Sequence, residues 1–256
     1  MAVPRALIVL SDDGHDPTEA AVPFQAFKDA NFEVQIVTEK GEIPKCDKKM
    51  LEGLTGKLLG AQKSVVEMYK DVVVSSEWQN PLSWTSPNFT FDGFDLVFFP
   101  GGHEKAVRQV IDSPQIHRLV ADYFPKTRKP SRKAVGAICH GVLVLANSKL
   151  AGDGDAEGKS VIHGCTITTL PGAFESGIFW STRLFLGDYY KTYGAGSENV
   201  EDSVRKTLDN EKEQYKSSVG PSPFVVHDKN YNYISARFPG DTKKFAQSMV
   251  DLVKAF

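Results

Sequence analysis

Apolar residues follow two rhythms along this chain. "RALIVLS" at 5–11 is an unbroken apolar run, the pattern of a strand buried on both faces of a parallel sheet. Next, "TEAAVPFQAFKDANF" places apolar residues at 20, 21, 24, 27 and 30, a helical spacing. Thr18 is its predicted cap, and Pro23 either sits in its first turns or restarts it. "FEVQIVTE" from 32 reads as a second strand, so the chain opens strand–helix–strand. Residues 46–70 carry two helical patterns around Gly60, and 71–90, with two prolines and two tryptophans, reads as a long surface loop covering a site. "FDLVFFPGG" at 94–102 is a buried strand ending in a double glycine. A helix through "HRLVADYF" leads to the strand "KAVGAIC" and the helix "HGVLVLANSKL".

The remainder is less regular. "KSVIHGCTIT" at 159–168 is a further strand candidate, and "ESGIFWSTRLFLGDYYKTYG" is helical near its middle. "FVVHDKNYNYISARF" reads as two strands joined by a turn at "DKN". "DTKKFAQSMVDLVKAF" is a closing helix, with Asp241 as cap and Phe245, Met249, Leu252 and Val253 as its apolar face. Neither repeats nor a linker divide the chain. The expected fold is therefore α/β, a doubly wound, mostly parallel sheet with helices on both faces, in one domain over 1–256 with an insertion around 46–90.

Composition narrows the function classes. Thirty Lys and Arg against 32 Asp and Glu give a net charge of -2, which argues against bulk attraction to nucleic acid or anionic membrane. No apolar stretch is long enough to span a bilayer. Three separated cysteines, Cys46, Cys139 and Cys165, suggest a reducing compartment, cytoplasmic or also nuclear, more than a disulfide scaffold. No metal or cofactor is expected: there is no HExxH, no phosphate loop and no GxGxxG after the first strand. Asp12, Asp13, His15 and Asp16 look metal-like on paper but read better as a solvated acidic turn. Trp84, Trp180 and Tyr193 read as packing, with a pocket wall or dimer contact as the alternative. Arg237 reads as a surface or cleft charge.

The chemically informative stretch is "AVGAICHGVLV" at 134–144. Cys139 stands on the turn from strand to helix, where amides and helix dipole stabilise a thiolate and an oxyanion. Gly136 and Gly141 relieve crowding there. His140 offers its backbone N–H as an oxyanion donor and its ring as a base. Local pattern alone leaves a buried structural cysteine equally open. Cys46 lies in a plain loop, and Cys165 reads as strand filling.

Taken together, "GAICHG", "FFPGGH" and "EAAVPF" resemble the DJ-1/PfpI superfamily across essentially the whole chain, nearest its Hsp31-like branch of glutathione-independent glyoxalases with a class I amidotransferase-like, flavodoxin-like fold. The resemblance implies that Cys139 is the nucleophile, His140 its neighbouring histidine, and Glu19 the acid beside the sulfur. It places the Gly102 amide on the substrate oxygen with that of His140, and His103 near the pocket. From position alone Glu19 reads as solvent-facing, and a surface role competes for His103. Where many Hsp31-like members carry an acid that orients the histidine, this chain has Leu170; Glu175 or a backbone carbonyl is the candidate substitute. The resemblance also implies a homodimer.

Three functions follow. The first is cofactor-free conversion of a small reactive dicarbonyl such as methylglyoxal to the 2-hydroxy acid through a cysteine hemithioacetal. The second keeps the nucleophile and makes the enzyme a hydratase or hydrolase of another small substrate. The third is a redox-sensing or holdase-type stress protein without turnover.

Overall fold

In the computed structural model, residues 3–52, 61–152 and 155–256 are described. Seven strands form one sheet: β1 Arg5–Val9, β2 Glu33–Thr38, β3 Leu82–Ser83, β4 Leu96–Phe99, β5 Ala134–Ile138, β6 Val225–His227 and β7 Tyr233–Ala236. Their order is β3-β2-β1-β4-β5-β7-β6, all parallel except β6, which returns antiparallel to β7. From β1 the chain winds outward through β2 and β3, then from β4 outward the other way. The switch point is therefore the β1–β4 boundary, beyond whose carboxyl ends ligands of such sheets bind.

The apolar runs become the inner strands because both faces are covered. Odd residues Leu7, Val9, Val97, Phe99 and Val135 enter one core layer, and even residues Ala6, Ile8, Leu96, Phe98 and Ala134 the other. On the second face lie helix α1 (Pro17–Asp29), α2 (Lys63–Val73) and the closing helix α7 (Thr242–Lys254). The first face packs α3 (Pro114–Tyr123), α4 (Val142–Asn147) and α6 (Val200–Arg205). Helix α5 (Gly172–Leu186) presents Trp180, Leu184 and Phe185 to solvent. No helix among the described residues is long and apolar enough to cross a membrane.

Several expectations need correction. Asp16, not Thr18, caps α1: its carboxylate accepts the N–H groups of Thr18 and Glu19, and Pro17 takes the first helical position. The helix continues through Pro23. Residues 71–90 are not a surface loop. They complete α2, form a short turn of helix at Ser76–Gln79 and add edge strand β3, and both Trp78 and Trp84 are fully buried. Trp78 fills the space between His15, Phe24 and Tyr69, its ring 5.6–5.9 Å from theirs, so the two tryptophans mark core. Of the two helices expected within 46–70, Lys48–Leu51 and α2 are present, while 53–60, Gly60 included, lies outside the described residues.

The stretch 159–168 forms turns, not a strand, because β6 already occupies the sheet edge beside β7. Side chains pin it instead: Asp228 accepts the Thr166 N–H and Ser235 accepts that of Thr168. Cys165 is buried there as core, outside any strand. The turn after "VVH" does form, with Asp228 accepting the N–H groups of Asn230 and Tyr231. Asp241 precedes α7 but makes no side-chain cap, because its carboxylate is engaged by Arg237. Arg237 itself is wholly buried, neither surface nor cleft charge.

Candidate functional site

Three strand ends converge at the switch point: the loop after β1, the double glycine after β4, and the turn after β5. Cys139 sits on the last of these with φ +56, a left-handed conformation that costs a non-glycine residue about 1–3 kcal/mol. Gly141 lets the turn pass the end of β4: a Cβ there would fall 2.2 Å from the Phe99 carbonyl oxygen. Gly136, inside β5, makes room for the closing helix, a Cβ there falling 2.2 Å from Met249 Sδ. Thr169 Oγ1 donates to the Cys139 carbonyl at 2.7 Å and fixes the elbow from outside.

Gly101 is the hub of the convergence. A Cβ there would meet His140 N at 2.7 Å, Cys139 Cβ at 2.9 Å and Glu19 Oε2 at 2.9 Å. Its N–H donates to Glu19 Oε2 at 2.8 Å, and its carbonyl accepts the Asp16 N–H at 3.1 Å. "DPTE" at 16–19 has the form of a capping box, in which the glutamate would ordinarily bond the backbone of its own cap. Here Gly101 takes both partners, and Glu19 is turned from a local helix cap into the site. Gly102 follows at φ +144, where a Cβ would strike the Gly14 carbonyl oxygen at 2.7 Å.

Electrostatics sort these groups. Glu19 is completely buried, and burial, reinforced by the neighbouring Asp16, raises its carboxyl well above the ordinary range. Burial thus favours its neutral form, and its Oε1 has no partner among the described residues. Burial also pushes the Cys139 thiol up, with Glu19 and Asp16 adding to the effect, while the His140 amide opposes it. Asp16 is raised to about 6, chiefly by burial. His140, nearly inaccessible, is held below its ordinary value by burial and is a neutral base. Its Nδ1 lies 3.4 Å from Cys139 Sγ, which requires the ring proton on Nε2 for Nδ1 to accept.

Cys139 and His140 open onto a cleft of about 300 Å³, also lined by Gly102, His103, Asp16 and Glu175. Glu19 does not line it and reaches it through the sulfur and Gly101. His103 sits against Tyr189 and Tyr190, ring centroids 4.6 and 4.4 Å away, with Nε2 3.6 Å from Asp47 Oδ2. Burial lowers it to about 3, so it too is neutral. Leu170 lines the cleft where an acid was sought. Glu175 is buried but committed elsewhere, accepting the Val200 N–H at 2.8 Å and pairing with Lys191 at 2.9 Å. No carboxylate lies within 4 Å of the His140 ring nitrogens among the described residues.

The acidic turn after β1 is not solvated as expected. His15 and Asp16 are buried, His15 Nε2 lies 3.1 Å from Tyr69 Oη, and Asp12 bonds Gln109. No cluster suited to a metal ion occurs among the described residues. Sequence reading did not single out Gly101, Asp47 or Tyr190. Only Asp16 had a local signal, the capping-box spacing itself.

A family model described as ThiJ/PfpI family-like matches residues 10–221. An uncharacterized protein of Schizosaccharomyces pombe is 26% identical over 254 residues, spanning 97% of this chain and 84% of that one. Among solved structures, the Rapid Encystment Protein 24 kDa of Francisella tularensis aligns with a TM-score of 0.64 at 22% identity, over 98% of this chain and 99% of that one. Glyoxalase III from Candida albicans aligns with a TM-score of 0.63 at 16% identity, over 97% of each chain. At these identities the solved structures speak to the fold alone.

Proposed function

The chain belongs to the ThiJ/PfpI-like family of the DJ-1/PfpI superfamily, and on that premise we propose that it converts a small 2-oxoaldehyde to the 2-hydroxy acid without glutathione. One observation carries the reading: a strained cysteine at a strand end, its sulfur 3.4 Å from an imidazole and beside a buried carboxyl whose neutral form burial favours. A neutral acid and a neutral base flanking one nucleophile suit an internal proton transfer, which needs both at once. A cysteine hydrolase with a full triad is less well supported, because no acid orients His140.

In the proposed sequence His140 takes the thiol proton as Cys139 sulfur attacks the aldehyde carbon, and then returns it to the new oxyanion. The Gly102 and His140 amides steady that oxyanion. From the hemithioacetal, His140 removes the C1 proton while Glu19, outside the lining of the free cleft but beside the sulfur, protonates the ketone oxygen that the bond to Cys139 brings against it, giving an enediol. His140 then protonates C2, and the C1 hydroxyl returns its proton to Glu19, leaving a 2-hydroxyacyl thioester. Water cleaves it to the acid and free thiol. C1 is oxidised and C2 reduced, and the overall change is addition of one water. Likeness in fold to the Candida albicans glyoxalase III supports this reading. A homodimer belongs to the same proposal and is tested by light scattering during gel filtration.

Lactate formation from methylglyoxal, without added thiol, tests the reaction. Turnover by the wild type should vanish in Cys139→Ala and fall 10²–10⁴-fold in Glu19→Gln, the range of general acid–base catalysis. Wild-type turnover no faster than the uncatalysed rate would overturn it.

A further inference from the structure

The cleft is large and mostly apolar for a substrate that carries a single methyl. Besides the reacting groups, its walls are Met50, Leu170, Phe174, Ile178, Tyr190 and Phe238. Phe174 and Phe238 meet edge to face, ring centroids 5.2 Å apart, with Ile178 one turn further along α5 from Phe174. An apolar cavity of about 150 Å³ is enough to hold a benzene ring, and this cleft offers about 300 Å³. No Lys or Arg lines it among the described residues, both histidines are held neutral, and Lys191 is engaged by Glu175 at 2.9 Å, so no free cation lines the cleft to receive a substrate anion. Tyr190, more than nine-tenths buried, adds its ring to this wall, tilted against that of His103 with centroids 4.4 Å apart.

Resting on the reaction proposed above, we infer that the substrate is an uncharged 2-oxoaldehyde bearing an aromatic or similarly bulky apolar substituent, held in the Phe174–Ile178–Phe238 slot. Methylglyoxal would then be a poor surrogate. Each methylene placed in such a pocket is worth roughly 10–200-fold in kcat/KM, so the ring should register clearly.

Two measurements test this. In the first, kcat/KM is compared for phenylglyoxal, methylglyoxal and the anionic 4-carboxyphenylglyoxal. Phenylglyoxal should exceed each of the others at least tenfold. Because the aldehydes differ in intrinsic reactivity, Ile178→Trp, which fills the slot, and Phe174→Ala, which removes one wall, should each reduce the phenyl-to-methyl ratio at least tenfold. A wild-type ratio at or below one, or a ratio unmoved by both variants, overturns the inference. The second measurement does not depend on turnover: acetophenone, which keeps ring and ketone but lacks the aldehyde, should bind at least tenfold tighter than acetone by calorimetry, and more weakly to Ile178→Trp. Equal binding of the two ketones overturns the inference whatever the kinetics show. Tighter acetophenone binding beside a failure to turn over any 2-oxoaldehyde retains the slot's preference for an aryl carbonyl compound and discards the reaction.

Discussion

Two buried sets of polar groups lie near one another, and they are built on opposite terms. Arg237 and Asp241 are both wholly inaccessible, and their atoms are saturated. Arg237 Nε and Nη2 each donate to Asp241 at 2.8 Å, its remaining donors take the carbonyls of Ser218, Gly220 and Ser222, and Asp241 also accepts the Phe224 and Arg237 amides. Glu19 is as deeply buried, yet one of its oxygens is unpartnered and its nearest ionisable neighbours are another acid and a thiol. In the first set every donor of the guanidinium and both oxygens of the carboxylate have partners. In the second a single amide, that of Gly101, meets the carboxyl, and burial beside Asp16 favours the neutral acid. Full satisfaction ties a loop to the sheet, whereas incomplete satisfaction leaves a proton available for chemistry.

Breaking each set should therefore give opposite signatures. Arg237→Ala strands a buried carboxylate, and we expect it to lose about 3–5 kcal/mol in urea unfolding. Glu19→Gln replaces a carboxyl whose neutral form burial favours with an amide of the same shape, so its stability should stay within about 1 kcal/mol of wild type even as turnover falls. Comparable destabilisation by the two would erase the distinction.

A smaller effect should follow at the hub. Gly101→Ala puts a methyl 2.7 Å from the His140 amide nitrogen, so elements from two strand ends must shift. Overpacking of this kind costs about 1–3 kcal/mol, and a displacement approaching 1 Å costs roughly 10² in rate. Turnover and thermal midpoint should fall together, unlike in Glu19→Gln.

A further effect lies in the pH dependence of stability, and it vanishes at neutral pH. Burial lowers His15 to about 3, below its unfolded value, so its contribution is present above pH 6.5 and is lost as pH falls toward 3. Asp16, raised to about 6, works the other way, its contribution being full below pH 3.8 and lost as pH rises through 6. His15→Gln removes the first and leaves the second. The melting temperature of the variant relative to wild type should rise steadily from pH 7 to pH 4, and a constant difference would show that His15 does not titrate with unfolding.

Most of the sheet and one corner of the site were legible in order of residues alone. Unbroken runs such as "LVFF" at 96–99 and "AVGAI" at 134–138 mark strands covered on both faces, and the glycines around Cys139 mark a tight turn, because those constraints act between residues close in the chain. The stretch 71–90 misled because prolines and tryptophans look alike in a loop and in a packed insertion until a partner such as His15 or Phe24 is placed beside them. Glu19, Asp241 and Arg237 carry the same lesson further. Their side chains look solvent-bound by type, and their roles depend on Gly101, Cys139 and the 218–224 loop. Periodicity is a local property and survives in the sequence. Burial, proton affinity and the shape of the cleft arise only when distant segments exclude water together, and those the tertiary structure decided.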